Sequence, residues 1–527
     1  MDTTIRKLII IKGKGKRKMK NKTIKLLSII LIIIFCVSIS PITMQNDTYY
    51  TIPIGKHIIE NGIDMLDPFS WHDGLQYTYP HWAYDVLIFL IFSAGQLVAG
   101  TIGGYRAIYI STCILAAILG VTIYLVNCKL NKNELISFFI TIGTIYILKD
   151  YIAARAQLIT FILFALEIFS IEKFLETQKK RYIASLILIP ILIANLHCAV
   201  WYFYFILYLP YIAEYIISIF CKVGKNEVKE KNKLTIERIE AIKKLIIIMI
   251  VCMFTGFLTR IGTTPYTYLI KTMQGKSTGY INEHLPMTII EHIPIIISLV
   301  ILFAVLIFTK VKIKLRDLFM IGGLLLLMLY SRRQQSMFAL IGSVILNRLI
   351  TQSFINFAPD SIKKIDKVAR NKIPNLIISI MVLALCSYFV IGKKNHTFVD
   401  ETVYPVEMSE WILENLDVPN IKLFNEYNYG SYLLYKGIPV FIDSRADLYT
   451  PEFNTKTGKV EDGKDIFTDF MQASGLNVFY EETFEKYGIT HAILYKNSKM
   501  NLIITNTNNG NYEVLHEDNI FILYKIK

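Results

Sequence analysis

The sequence predicts a mainly α, polytopic membrane protein of about eleven to thirteen transmembrane helices that ends in a small α/β or α+β soluble domain. Three observations predict it. The 527 residues are 53% apolar and only 19% charged, with a mean hydropathy of +0.43, whereas soluble domains carry roughly one-quarter charged residues. Apolar runs recur from Leu26 to about residue 391, beginning with an uncharged stretch over 26–44. The charge is also segregated. From Gly392 onward 13 Lys+Arg face 20 Asp+Glu, a net −7, which against +14 for the whole chain leaves +21 in the first 391 residues.

Those basic residues lie in short stretches between apolar runs. That is the positive-inside pattern, and it excludes reading the pI of about 9.1 as a sign of nucleic-acid binding. Residues 1–25 hold ten Lys/Arg, and the apolar run that follows is long and shows no small-residue cleavage site, so a cytoplasmic N-terminus with a retained signal-anchor helix is favoured over a cleaved signal peptide. The loop 45–82 then lies outside. Further basic loops at 128–134, 172–182, 221–245, 310–317 and 351–373 are predicted cytoplasmic. Between them the apolar segments meet at polar knots, 149–157, 195–198, 261–292 and 331–335, which alternation places on the outer side. The transmembrane domain thus covers 26–391, and its last span, near 374–391, delivers an extracytoplasmic domain, 392–527, at the plasma membrane. Residues 83–127 hold two apolar segments, about 84–100 and 105–127, where alternation permits one crossing: either the first lies in the interface or re-enters, or one of the loop assignments is wrong. The seven cysteines all fall within or beside apolar segments without metal-site spacing, and read as small buried hydrophobes.

In the C-terminal domain 421–424, 440–442, 491–494 and 520–524 predict strands, and 407–416 and 481–487 predict helices. Roughly 130 residues suffice for one such domain.

The residues suited to chemistry cluster in the first outer loop and the knots. The loop carries Asp47, Asp64, Asp67 and Asp73, with His81 and the aromatics Tyr49, Tyr50, Trp71 and Trp82. An acid just beyond a first span sits at the membrane surface, where a base acting on an acceptor hydroxyl beside a lipid-borne donor would have to be. An aromatic belt with solvated acids is the blander reading. Arg332 and Arg333, set between apolar runs on the predicted outer side, run against the positive-inside preference. A phosphate headgroup would account for both, because guanidinium binds phosphate oxygens bidentately. Glu283-His284 and Glu291-His292 are weaker candidates. In the C-terminal domain Asp443, Arg445 and Asp447 alternate acid, base and acid; a mutual salt-bridge cluster that fixes the domain is favoured over catalysis.

An N-terminal span, an Asp-bearing first outer loop, many further spans and an outer C-terminal domain together resemble the GT-C glycosyltransferase superfamily. The closer resemblance is to bacterial relatives of protein mannosyltransferases and lipid A aminoarabinose transferases. Arg155-Ala156-Gln157 resembles an R-P-Q patch of related bacterial membrane proteins, with Ala156 replacing the proline, and Asn195-Leu196-His197 resembles their N-x-H patch. The resemblance implies an inverting enzyme that moves a sugar from a polyprenyl-phosphate donor to a glycan, lipid or protein acceptor at the outer face of the bilayer. Asp47 matches the family's catalytic Asp and would be the base. Asp64, Asp67, His81, Arg155, Gln157, Asn195, His197, Arg332, Arg333, Asp443 and Arg445 are the expected substrate-binding residues. No cofactor is certain from the sequence, and a divalent metal is left open. The rival expectation is a transporter, flippase or non-catalytic lipid-linked glycan-binding or export component, against which the absence of internal repeats counts.

Overall fold

The computed structural model describes residues 24–527 other than 358–359, 370 and 508–509. Nine of the ten N-terminal basic residues therefore lie outside the described residues. Four described helices are long and apolar enough to cross a membrane: Trp82–Asn131, Cys198–Phe220, Arg332–Phe357 and Lys372–Gly392. Shorter apolar helices, Ile24–Ile39, Glu134–Ile147 and Ile293–Phe308, join them. Ala156–Thr177, Lys180–Leu196, Ile242–Met253 and Leu315–Tyr330 complete a bundle with one continuous apolar core. Capping is local and legible: Asn133 accepts from the Ile136 amide at 2.8 Å to start Glu134–Ile147. Lys132 and Gln178 close their helices in the left-handed region.

The apolar stretch 83–127 folds as two antiparallel helical arms. Ala99 and Gly100 leave helical geometry, Gly100 at φ +61°, a conformation that glycine adopts without strain. A Cβ added to Gly95 would stand 2.3 Å from the Gly103 carbonyl oxygen, and one on Gly103 would stand 2.2 Å from that of Gly95. Phe92 packs on Gly104 and Tyr435, and Tyr105 on Tyr49 and Phe398. These partners lie beyond the ends of Ile24–Ile39 and Lys372–Gly392. The first arm therefore stays on that side, and only the second runs back along the first helix, where Gly120 admits Cys36 and Ile32. One rod through the bundle results, as alternation requires.

The predicted loop 45–82 is half helix. Asn46–Asn61 forms a 16-residue helix, and only 62–81 is irregular. At this end of the bundle the Met44 amide donates to Phe398 O (2.9 Å) and the Thr43 hydroxyl to Thr397 O (2.8 Å), so the first and last apolar helices finish level. The opposite end is marked by a small sheet of Val228–Lys231, Leu234–Glu237 and Ile313–Lys314. Beside it Arg316 reaches Glu214 (2.7 Å) and Glu237 (2.8 Å), and Arg348 reaches Asp317 (2.7 Å) and Glu172 (3.3 Å).

The C-terminal domain is α+β. Leu423–Phe424 pairs parallel with His491–Tyr495, which pairs antiparallel with Phe521–Ile526, itself antiparallel to Tyr512–Glu517. The expected helices form as Val406–Asn415 and Tyr480–Tyr487. Segment 440–442 is not a strand of this sheet. Val440 makes only an isolated bridge to Ser70, because the first loop, not another strand, covers it.

Cysteine labelling checks the hairpin. In intact cells an impermeant maleimide should label Thr101→Cys and Lys459→Cys alike and spare Lys231→Cys until the membrane is opened. Labelling of Thr101→Cys together with Lys231→Cys alone would mean that the arm crosses.

Candidate functional site

All four polar knots, the first-loop helix and the C-terminal domain converge on one cavity of about 670 Å³. Asp47 stands in the first turn of Asn46–Asn61, where the positive end of the helix dipole favours an acid. Asp47, Tyr50 and Thr51 share the cavity face by helical spacing. The opposite face is anchored by Tyr49, which packs edge-on against Tyr404 and Tyr432 of the C-terminal domain.

Arg155 occupies the extended residue before Ala156–Thr177. Its guanidinium bonds the Asp47 carboxylate and donates to Glu283 Oε1 at 3.1 Å. Burial by itself would raise the Glu283 pKa; the nearby Arg155 and Arg333 outweigh it and hold the carboxyl low. His284 beside it is pushed down to about 4 by burial and by Arg333, so it is a neutral imidazole at physiological pH. Arg333, Gln157 and His197 complete the bundle wall.

The facing wall belongs to the C-terminal domain and is acidic and aromatic. Glu426, Tyr427, Asp447 and Phe467 line it, with Tyr268 reaching across to bond Asp447. Burial pushes the Glu426 carboxyl up to about 7 and lifts Asp447 above the usual carboxylate range. Neither acid forms a salt bridge among the described residues. Arg155 and Arg333 thus sit on the bundle wall, and on the domain wall Glu426 and Asp447 are carboxylates without a salt-bridge partner, since Arg445 there is engaged by Asp67 and Asp443.

The expected site residues divide between cavity and support. Asp47, His81, Arg155, Gln157, His197, Arg333 and Arg445 line the cavity, and Asp64, Asp67, Asn195, Arg332 and Asp443 do not. Asp64 is tied to His57 (3.1 Å) and Tyr79 (2.9 Å), and shapes the loop. Asn195 donates to Ile191 O and Leu258 O at 2.8 and 2.9 Å, bracing a helix end. Arg332 turns away because its backbone is held by Leu285 and by the Tyr151 hydroxyl, which leaves only Arg333 of the pair facing in. Arg445 bonds Asp443 at 2.6 Å and Asp67 at 2.7 Å, so the favoured salt-bridge cluster forms with Asp67 of the first loop in place of Asp447, which bonds Tyr268 instead. Burial opposes ionisation of Asp67, and Arg445 with the Ser70 hydrogen bonds overrides it, so its pKa is lowered. Tyr50, one of the loop aromatics that stood out in the sequence, lines the cavity; sequence reasoning missed Glu426 and Tyr268 as lining residues and ranked Glu283 and His284 too low, because contacts between loops more than a hundred residues apart leave no spacing to read.

Among the described residues no group of three or more His, Cys, Asp or Glu side chains could hold a metal ion. Asp47 and Glu283, the acids of the bundle side, are both spent on Arg155. This donor set does not fit a divalent metal, and no step is derived through one.

No protein-family model and no curated protein matches the chain. Solved structures do. The Archaeoglobus fulgidus oligosaccharyltransferase tethered with an acceptor peptide is similar at TM-score 0.55 and 12% identity, over 95% of this chain and 74% of that one. The archaeal oligosaccharyltransferase AglB from the same organism, in complex with an inhibitory peptide and a dolichol-phosphate, is similar at 0.52 and 12%, over 90% and 70%. ArnT from Cupriavidus metallidurans, bound to undecaprenyl phosphate, is similar at 0.50 and 8%, over 97% and 98%. At these identities the likeness is one of fold. It is the fold that these oligosaccharyltransferases and ArnT share with this chain, which agrees with the fold that the sequence resemblance implies.

Arg445 yields a stability prediction. Arg445→Met strands two buried carboxylates and should lower stability by about 3–5 kcal/mol, read as a fall in the melting temperature of purified protein. The Asp67 contribution, with a depressed folded-state pKa, is fully present above the unfolded value near ~3.9 and is lost as pH falls through the lower folded value. The gap between wild type and variant should therefore narrow in acid; a gap constant down to that range would contradict the ionised triad.

Proposed function

We propose that this protein is an integral-membrane glycosyltransferase that moves a sugar from a polyprenyl-phosphate donor to an acceptor on the outer face of the plasma membrane. The observation that carries the reading is the cavity itself: loops from across the chain bring Arg155 and Arg333 to one wall, and carboxylates with aromatic rings to the other. Its volume, about 670 Å³, lies within the ordinary range of ligand sites. Fold neighbours solved in complex with undecaprenyl phosphate or dolichol-phosphate support a lipid-linked donor. The basic N-terminal segment supports placing the cavity outside.

In this reading the bond from the anomeric carbon to the phosphate oxygen breaks, and its electron pair leaves on the polyprenyl phosphate. Arg155 and Arg333 stabilise the charge that develops there, a task for which pre-oriented guanidinium groups are suited. The acceptor hydroxyl attacks from the opposite face of the sugar, inverting the anomeric centre, and loses its proton as the new C–O bond forms. Asp47, which the resemblance implies as the base, holds Arg155 beside the reacting atoms and orients the hydroxyl there. The Tyr427, Phe467 and Asp447 wall holds the acceptor through ring stacking and hydroxyl contacts.

Donor binding and transfer test this reading. Arg333→Gln should weaken binding of a polyprenyl-phosphate sugar about ten- to hundredfold, and Arg333→Lys should recover only part of it. Arg332→Gln should bind like wild type, since that side chain faces elsewhere. Asp47→Asn should cut transfer ~10²–10⁴-fold while the protein still inserts. Movement of lipid-linked sugar without release of polyprenyl phosphate would favour a flippase instead.

A further inference from the structure

Tyr50, His81 and Asp85 form a hydrogen-bond chain from the cavity into the protein interior. Asp85, with its side chain fully buried, accepts from His81 Nδ1 through both carboxylate oxygens, at 2.8 and 2.9 Å. Nδ1 therefore carries the imidazole proton, which leaves Nε2 as an acceptor. Nε2 stands 3.1 Å from the Tyr50 hydroxyl, and Tyr50 and His81 both line the cavity. The ordering has a local cause. His81 caps the helix that Asp85 continues four residues on, so the two side chains meet on one helix face. Tyr50 follows Asp47 by three residues on the facing helix and so opens onto the same part of the cavity.

Asp47 is less free. Its carboxylate is bonded to Arg155 and so is already engaged. An effective base has a pKa near the working pH. Burial by itself would lower the His81 pKa, but the charge and hydrogen bond of Asp85 outweigh it and lift the imidazole above its ordinary value. The other charged or titratable groups facing His81 are Asp47 on the first-loop helix, Arg155 on the 152–155 turn and His197 on the 195–198 turn.

We propose that the proton of the acceptor hydroxyl ends on His81, by way of Tyr50, and that Asp85 is the positioning residue that holds the imidazole for it. The proposal rests on the transferase reading above. As the acceptor oxygen bonds to the anomeric carbon, its proton passes to Tyr50 Oη while the Tyr50 proton passes to His81 Nε2. The sugar–phosphate bond breaks with its electron pair on phosphate. The imidazolium left behind is neutralised by Asp85, and Asp47 keeps Arg155 turned towards the phosphate.

The test combines a pH–rate profile with a measurement of His81 itself. Transfer needs neutral His81, so the rate should fall as pH drops through the His81 pKa. Asp85→Asn removes the charge that raises that pKa and should move this acidic limb to lower pH by ~1 unit or more. Tyr50→Phe keeps the ring and should lower kcat ~10²-fold with donor KM little changed. Carbethoxylation of His81 by diethyl pyrocarbonate against pH, read by peptide mass spectrometry, reports the same pKa without any substrate. Its midpoint should move with the limb. An acidic limb unmoved in Asp85→Asn, or full activity in Tyr50→Phe, would overturn the relay. Should Asp85→Asn fold poorly, His81→Gln decides: the proposal requires the limb to vanish with most of the rate, and a limb retained in that variant overturns it. No transfer by the wild type, with the His81 midpoint shifting as described, would instead fail the transferase reading.

Discussion

Arg155 is the constraint on which the arrangement depends. A guanidinium at the end of an apolar helix bundle is costly to leave without partners. It is met by Asp47 from the first-loop helix and by Glu283 from a loop more than a hundred residues downstream. Satisfying that one charge brings three distant segments to the same point and leaves a space beside them. The cavity is therefore the by-product of an electrostatic requirement, and any ligand that enters it meets a guanidinium already oriented by two acids.

The second wall is fixed independently. Arg445 links Asp67 of the first loop to Asp443, and Tyr449 adds a hydrogen bond to Asp443 at 2.5 Å. The first loop is thus attached to the bundle through Arg155 and to the soluble domain through Arg445, with the Tyr49 aromatic cluster between them. At the opposite end of the bundle Arg316 and Arg348 are enclosed by carboxylates in the same manner but around almost no free volume. The two ends differ in consequence: one cluster locks helices, and the other borders a space that a ligand can enter.

Much of this was legible in the sequence. Apolar runs, basic loops and polar knots follow from the need to bury backbone and keep charge out of the bilayer, so the fold class and the convergence of 149–157, 195–198, 261–292 and 331–335 on one side could be read directly. Asp47, Arg155 and His197 were visible because charged or polar groups beside apolar segments stand out. The rest was hidden for identifiable reasons. The hairpin of 82–131 turns on a Gly95–Gly103 contact that hydropathy cannot register. The Arg332–Arg333 pair is divided because the Arg332 amide donates to Leu285 O and the Arg332 carbonyl accepts from the Tyr151 hydroxyl. Segment 440–442 has the composition of a strand, yet its partner is the first loop. Asp85 lies in an apolar run, and only the fold shows that it supports His81.

The most direct measurement is a cryo-electron microscopy structure of the full-length protein in a lipid nanodisc with polyprenyl phosphate. The account predicts density for the phosphate within hydrogen-bonding distance of Arg155 and Arg333, with the prenyl chain leaving between helices at that end of the bundle. A phosphate bound elsewhere, whether on Arg332 outside the cavity or at the Arg316–Arg348 end, would contradict it.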